Sequence, residues 1–212
     1  KSVIWHNVID EKTEKEGTIF FTEVNGTVTN NRNFDIQKDD SIRVDLTSKL
    51  MSRGQLRFLF RESYEDSIQG FLMSVRMGGM EMQELNRLMI PLNSVRVDKG
   101  MIRDVSMRVK GNDHFAFGSM DMNYQNLKVS VLNEQNKKKG IVSWLANILV
   151  RGRNSKTGII YTERLKDKSV FNFWSRISLN GLMTNLGVRK NGKQVRKFYR
   201  GLEKYELPPD LF

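Results

Sequence analysis

A chain of 212 residues, 39% of them apolar, is long enough to bury a sizeable core in one large domain or two small ones. It contains no cysteine, which excludes a disulfide framework and any thiolate metal site and leaves the redox compartment open. Its net charge of +11 is lodged in the C-terminal third: residues 1–136 carry 18 basic and 19 acidic side chains, residues 137–212 carry 17 and 5.

Such a block reads either as a solvated basic face or as a surface for phosphates, those of phospholipid headgroups or of nucleic acid. No apolar run of about eighteen residues, the length that spans a bilayer, occurs. The chain begins at Lys1 rather than methionine, as expected of a sequence lacking its natural N-terminus. A signal or anchor segment would then precede Lys1.

Residues 3–9 form a short β-type run, and a charged turn over 10–17 leads into a second run over 17–24, predicting a hairpin. Residues 27–35 are polar and asparagine-rich, a loop or irregular edge. Residues 41–47 alternate, with Ile42, Val44 and Leu46 on one face. Over 56–61, Leu56, Phe58 and Phe60 share a face opposite Arg57, Leu59 and Arg61. A strand over 67–77 is broken by Gly78-Gly79. Residues 81–90 then show helical spacing, with Met82, Leu85, Leu88 and Met89 together and Pro91 expected to stop the helix.

Residues 94–97 lead through a turn or bulge at Asp98-Lys99-Gly100 into 101–109, where Met101, Val105, Met107 and Val109 share a face that Arg103 interrupts. After a tight turn around Gly111, residues 114–122 set Phe115 and Phe117 against Ala116, Gly118, Met120 and Met122. Both faces of that strand are partly apolar. Residues 124–132 repeat the alternation, 134–140 read as a loop, 141–150 as a short helix or irregular apolar segment, and 158–164 as a last strand.

Residues 169–186 form an amphipathic helix carrying Phe173, Trp174, Ile177 and Leu182, with Gly187 placed to cap it. The expected fold class is mainly β, an extended, twisted antiparallel sheet with a short helix near 81–90 and a C-terminal amphipathic helix near 169–186. One β-rich domain would cover 1–187, and 188–212 would be a basic, extended tail.

Chemistry is hard to find in this pattern. His6 and His114 lack a recognisable triad arrangement, and the acidic clusters at Asp39-Asp40 and at Glu62, Glu65 and Asp66 read as solvated loop charges. No glycine-rich phosphate loop is present. The residues therefore assign no catalytic group, metal or cofactor, and a non-enzymatic role is expected. Nucleic acid has some support in Lys137-Lys138-Lys139, Arg151, Arg153 and Lys156, and in basic residues around Phe198 and Tyr199. It is disfavoured because no recognised nucleic-acid fold pattern accompanies them and an anionic bilayer is served equally well. Met73, Met77, Met80, Met82, Met89, Met101, Met107, Met120 and Met122 crowd the central tract, either filling irregular core gaps or forming an adaptable surface for acyl chains.

The order of an apolar helix ending near Pro91, then Val95-Arg96-Val97-Asp98-Lys99-Gly100-Met101-Ile102, then Phe117-Gly118-Ser119-Met120-Asp121-Met122-Asn123-Tyr124 resembles the C-terminal region of AsmA-like and TamB-like envelope proteins. Phe171, Phe173, Trp174, Ile177, Gly181 and Leu182 look like the aromatic helix that follows the sheet there. The resemblance covers about residues 40–187. It implies a periplasmic protein, membrane-anchored through a segment preceding Lys1, whose curved sheet forms a hydrophobic groove associated with phospholipid transport and outer-membrane homeostasis. The family offers no catalytic residues to carry over.

On this reading the partners are phospholipid or a membrane surface, and an envelope protein. Phe58, Phe60, Phe71, Met73, Phe115 and Phe117 are the lipid-contact candidates, although they are equally natural core residues. Arg189, Lys190, Lys193, Arg196, Lys197 and Arg200 are the candidates for an anionic partner. The alternative is an interaction scaffold with a closed core, docking a protein through an edge strand or the basic tail.

Overall fold

Alternation of apolar and polar side chains carries most of the chain into strands. The computed structural model describes residues 2–9, 14–37, 40–64, 70–132, 153–187 and 191–196. Among these, β1 (Val3–Ile9), β2 (Glu16–Thr29), β3 (Ser41–Leu50), β4 (Gly54–Ser63) and β5 (Phe71–Met77) are followed by the two-residue β6 (Met80–Glu81). A 3-10 turn (Met82–Leu85) runs into α1 (Asn86–Asn93), after which come β7 (Val95–Gly111), β8 (Phe115–Val131), β9 (Arg153–Glu163) and α2 (Val170–Asn185). All strands belong to one antiparallel sheet of order β1-β2-β3-β4-β5-β7-β8-β9, with β6 pairing β7. It is a mainly β meander, as the alternation predicts.

Both helices lie on one face. α1 packs on β2 and β7, and α2 packs across β8 and β9 and also reaches β1 at the far edge of the sheet. A sheet whose opposite edges meet the same helix must curl around it, as the right-handed strand twist favours. The core fills the inside of that curl: Met73, Val97, Ile102, Met107, Met122 and Ile160 from the sheet meet Met82, Met89 and Ile177 from the helical segments. Of the nine central methionines, eight are buried and Met101 is exposed, and Met77, Met107, Met120 and Met122 also border an interior cavity.

Several boundaries differ from expectation. β2 continues through Thr29 because a bulge at Glu23, in left-handed conformation, shifts its register and lets Thr27–Thr29 pair with β3. Only residues beyond Thr29 form the expected loop. Residues 95–111 are one strand, and Asp98-Lys99-Gly100 is a bulged stretch within it. The extra residue turns Met101 outward and Ile102 inward, and a further shift after Ile102 leaves both Arg103 and Asp104 outside. Residues 115–131 likewise form one strand rather than two.

Pro91 lies inside α1 rather than ending it. It sits in the last turn, so the only bond it forfeits is the one to the Arg87 carbonyl. The helix ends at Ser94, whose left-handed conformation places its N–H 2.9 Å from the Ile90 carbonyl.

α2 is fixed at both ends and along its length. The Ser169 hydroxyl accepts from the Asn172 N–H at 3.2 Å, and Gly187 closes the helix in the left-handed region, as predicted. Three buried asparagines then bind the helical segments to the sheet. Asn185 Nδ2 donates to the Met120 carbonyl at 2.6 Å, the Asn180 side chain accepts from the Tyr161 N–H at 3.2 Å, and Asn191 Nδ2 donates to the Ile159 carbonyl at 2.8 Å. The last two groups belong to the outer edge of β9, which is thereby covered. Asn191 precedes a helical turn over 192–196, so this part of the segment read as an extended tail is not extended. The expected loop at 134–140 and apolar segment at 141–150 lie outside the described residues, as does the end of the tail.

Glu62, on the inward face at the end of β4, carries an electrostatic cost. Burial raises its pKa, the Asp113 carboxylate raises it further, and Arg164 partly offsets both. A carboxyl whose pKa is raised in the fold holds its proton more tightly there than in the unfolded chain, so stability falls as pH rises from the ordinary carboxylate range through that raised value. Glu62→Gln is therefore expected to stabilise the protein at neutral pH, an advantage that disappears in acid. Urea unfolding of both proteins across that pH range checks this; an advantage independent of pH would contradict it.

Candidate functional site

Between the curled sheet and the two helices lies a cavity of about 350 Å³. Its sheet wall presents Phe21, Leu46, Phe58, Val75, Met107 and Met122, and its helical wall Leu85, Leu88, Trp174, Leu179 and Leu182. These are the inward members of each strand's alternation, brought together because the meander keeps equal parity across neighbouring strands.

Among the described residues, the cavity's lining includes no Asp, Glu, Lys or Arg. Its polar members are Ser48, Ser169, Ser175, Ser178 and His6, and burial lowers the His6 pKa, keeping that ring neutral at pH 7. The His6 Nε2 and the Trp174 indole N–H are buried without a hydrogen-bond partner among the described residues. Such a wall presents a mainly apolar surface with a few neutral hydrogen-bonding groups.

Apolar side chains remain exposed where β1 faces the start of α2. Ile4 is 45% exposed, Trp5 59% and Phe171 57%, and all three also contribute to the cavity wall. The site thus opens to solvent along a greasy rim.

The six lipid-contact candidates separate into three groups. Phe58 lines the cavity. Phe60, Phe71 and Met73 are buried in the core, with Phe60 5.0 Å from the Trp174 ring of α2 and Phe71 meeting Phe173 edge-on at 6.0 Å. Phe115 and Phe117 have the opposite parity and lie half-buried on the face away from the helices, where Phe117 pairs across strands with Lys110 and Tyr161. The fold thus does not bring the six candidates together on one surface.

Among the anionic-partner candidates, Lys193 and Arg196 are exposed on the helical turn after Asn191, and the Arg196 Nε donates to the Gly192 carbonyl at 3.1 Å. Arg189, Lys190, Lys197 and Arg200 lie outside the described residues. No cluster of His, Asp and Glu suited to a metal occurs among the described residues, and no helix there is long and apolar enough to cross a membrane.

Leu46, Val75, Leu85, Leu88 and Leu179 line the cavity but are not among the lipid-contact candidates. Parity within each strand was a usable signal for Leu46, and helical spacing for Leu85 and Leu88. Nothing local announced that the sheet curls far enough to oppose these residues. No protein-family model, curated protein or solved structure matches the chain.

Proposed function

We propose that the chain is a non-enzymatic module of a bacterial cell-envelope protein, in the periplasm and of the AsmA-like kind, which shields phospholipid acyl chains within its curled sheet. The observation that carries this reading is the cavity, with no charged side chain among its described lining residues, and its exposed apolar rim at Ile4, Trp5 and Phe171. Each methylene moved from water into such a site contributes about 0.8 kcal/mol, so about eight of them supply roughly 6 kcal/mol before the costs of ordering the chain. The rim gives an acyl chain a continuous apolar path from a bilayer to the interior. The headgroup would stay outside, near the polar serines of α2.

Organic extraction of the purified chain followed by mass spectrometry tests the reading. Phospholipid is expected in the extract of the natural sequence and depleted in that of Leu179→Trp, which fills the cavity from α2. Lipid-free protein that also takes up none from phosphatidylglycerol vesicles would overturn it.

A second reading, an interaction scaffold, is favoured by the edge at β1. No strand covers that edge among the described residues, and Val3, Ile4 and Trp5 stand exposed along it, a template for strand addition by a protein partner.

A further inference from the structure

The face of the sheet away from the helices carries a shallow trough of about 710 Å³, crossed by strands β2 to β5, β7 and β8. Register fixes its contents. One cross-strand row reads Thr29, Arg43, Arg61, Leu72, Lys110, Phe117, and the next reads Thr27, Asp45, Leu59, Ser74, Arg108, Ser119.

Among the described residues, four cations thus meet a single carboxylate in the trough. Asp45 is already taken by Arg57, which donates to both its oxygens at 3.2 and 2.8 Å and holds the Asp45 pKa below the usual carboxylate range. Arg43, Arg61, Arg108 and Lys110 form no ion pair with any described residue.

Arg43 and Arg61 are directly opposed across β3 and β4, a like-charge arrangement that costs stability. It is also a built one. The Ser41 hydroxyl, itself buried, accepts from Arg61 Nε at 3.0 Å and from Arg43 Nε at 3.5 Å, so two guanidinium groups converge on one oxygen with their outer N–H groups unpaired. Guanidinium forks held side by side fit the oxygens of a phosphate. Beside them Leu72 is 49% exposed and Leu59 39% exposed, aliphatic surface that a bare polyanion does not use.

We infer that this trough is a second binding site, for a phosphate-bearing amphiphile. The phosphate sits between Arg43 and Arg61, Arg108 and Lys110 supply further positive charge, and the aliphatic part lies over Leu59 and Leu72. The site is separated from the helix-side cavity by the thickness of the sheet and does not depend on what that cavity holds.

Calorimetric titration of the full chain with monomeric dihexanoyl phosphatidic acid at low salt tests it. Saturable binding is expected, weakened about tenfold by Arg43→Ala or Arg61→Ala and less by Arg61→Lys, which keeps the charge but loses the fork. Leu72→Ser should weaken it too, whereas Leu179→Trp should leave it unchanged. Circular dichroism confirms that each outward-facing variant is folded.

Affinity unaffected by both arginine variants would overturn the inference. So would inorganic phosphate binding as tightly as the lipid, or a single-stranded oligonucleotide displacing it through the same arginines. Loss of binding in Leu179→Trp would place the lipid in the cavity and overturn the second site while sparing the first.

Discussion

Trp174→Ala is expected to destabilise the protein by about 3 kcal/mol, toward the lower end of the range for aromatic truncation because the residue is only partly buried. The Trp174 ring lies 5.0 Å from Phe58 and 5.0 Å from Phe60 on β4, and 5.4 Å from Phe171 one turn before it. It is therefore the residue through which α2 grips the middle of the sheet, far from its asparagine contacts on β8 and β9. Because Trp174 also lines the cavity, its removal enlarges that space instead of closing it. Equilibrium urea unfolding should show a lower midpoint with an unchanged slope. A loss below about 1 kcal/mol would mean that α2 does not depend on the aromatic cluster.

Gly158→Val should act from the other end of the same helix. A Cβ at position 158 would stand 2.6 Å from both the Asn185 Nδ2 and the Thr184 Oγ1 and 2.9 Å from the Asn185 backbone nitrogen. Neither side chain can simply swing away. Asn185 is committed to the Met120 carbonyl, and the Thr184 hydroxyl is held by the Asn180 and Gly181 carbonyls at 3.1 and 3.0 Å. The end of α2 must lift from β9, at a cost of about 1–3 kcal/mol for the overpacking and more if the buried Met120 carbonyl is left unsatisfied. Faster amide exchange over α2 and β9 relative to β3 and β4 is the measurement; uniform exchange would show that the helix accommodates the side chain.

The two substitutions bracket what was legible in the sequence. The faces of individual elements were readable: Leu56, Phe58 and Phe60 do point together, Met82, Leu85, Leu88 and Met89 are all buried, and Ser169 and Gly187 bound the second helix. Period two and period 3.6 are local properties. Strand continuity was not readable, because bulges at Glu23 and around Gly100 preserve pairing while breaking alternation, so a change of parity looks like a break. Pro91 misled for a related reason, its cost depending on which carbonyl it orphans.

The asparagines at 180, 185 and 191 carried no signal at all. A polar residue on a helix reads as surface until the partner carbonyl, in a strand more than fifteen residues away in sequence, is known. The basic C-terminal third also drew attention from Arg43, Arg61, Arg108 and Lys110. Their charge is balanced in the sequence tally by acids that the fold places elsewhere or pairs with other partners.

The helix-side cavity carries the functional account, and a photoreactive acyl chain reports on it directly. Phosphatidylglycerol bearing a diazirine near the middle of one chain should, after irradiation and digestion, label peptides containing Phe58, Val75 and Leu179. Leu179→Trp should abolish those adducts. Labelling absent from these peptides, while the natural protein remains folded, would contradict a lipid-holding interior.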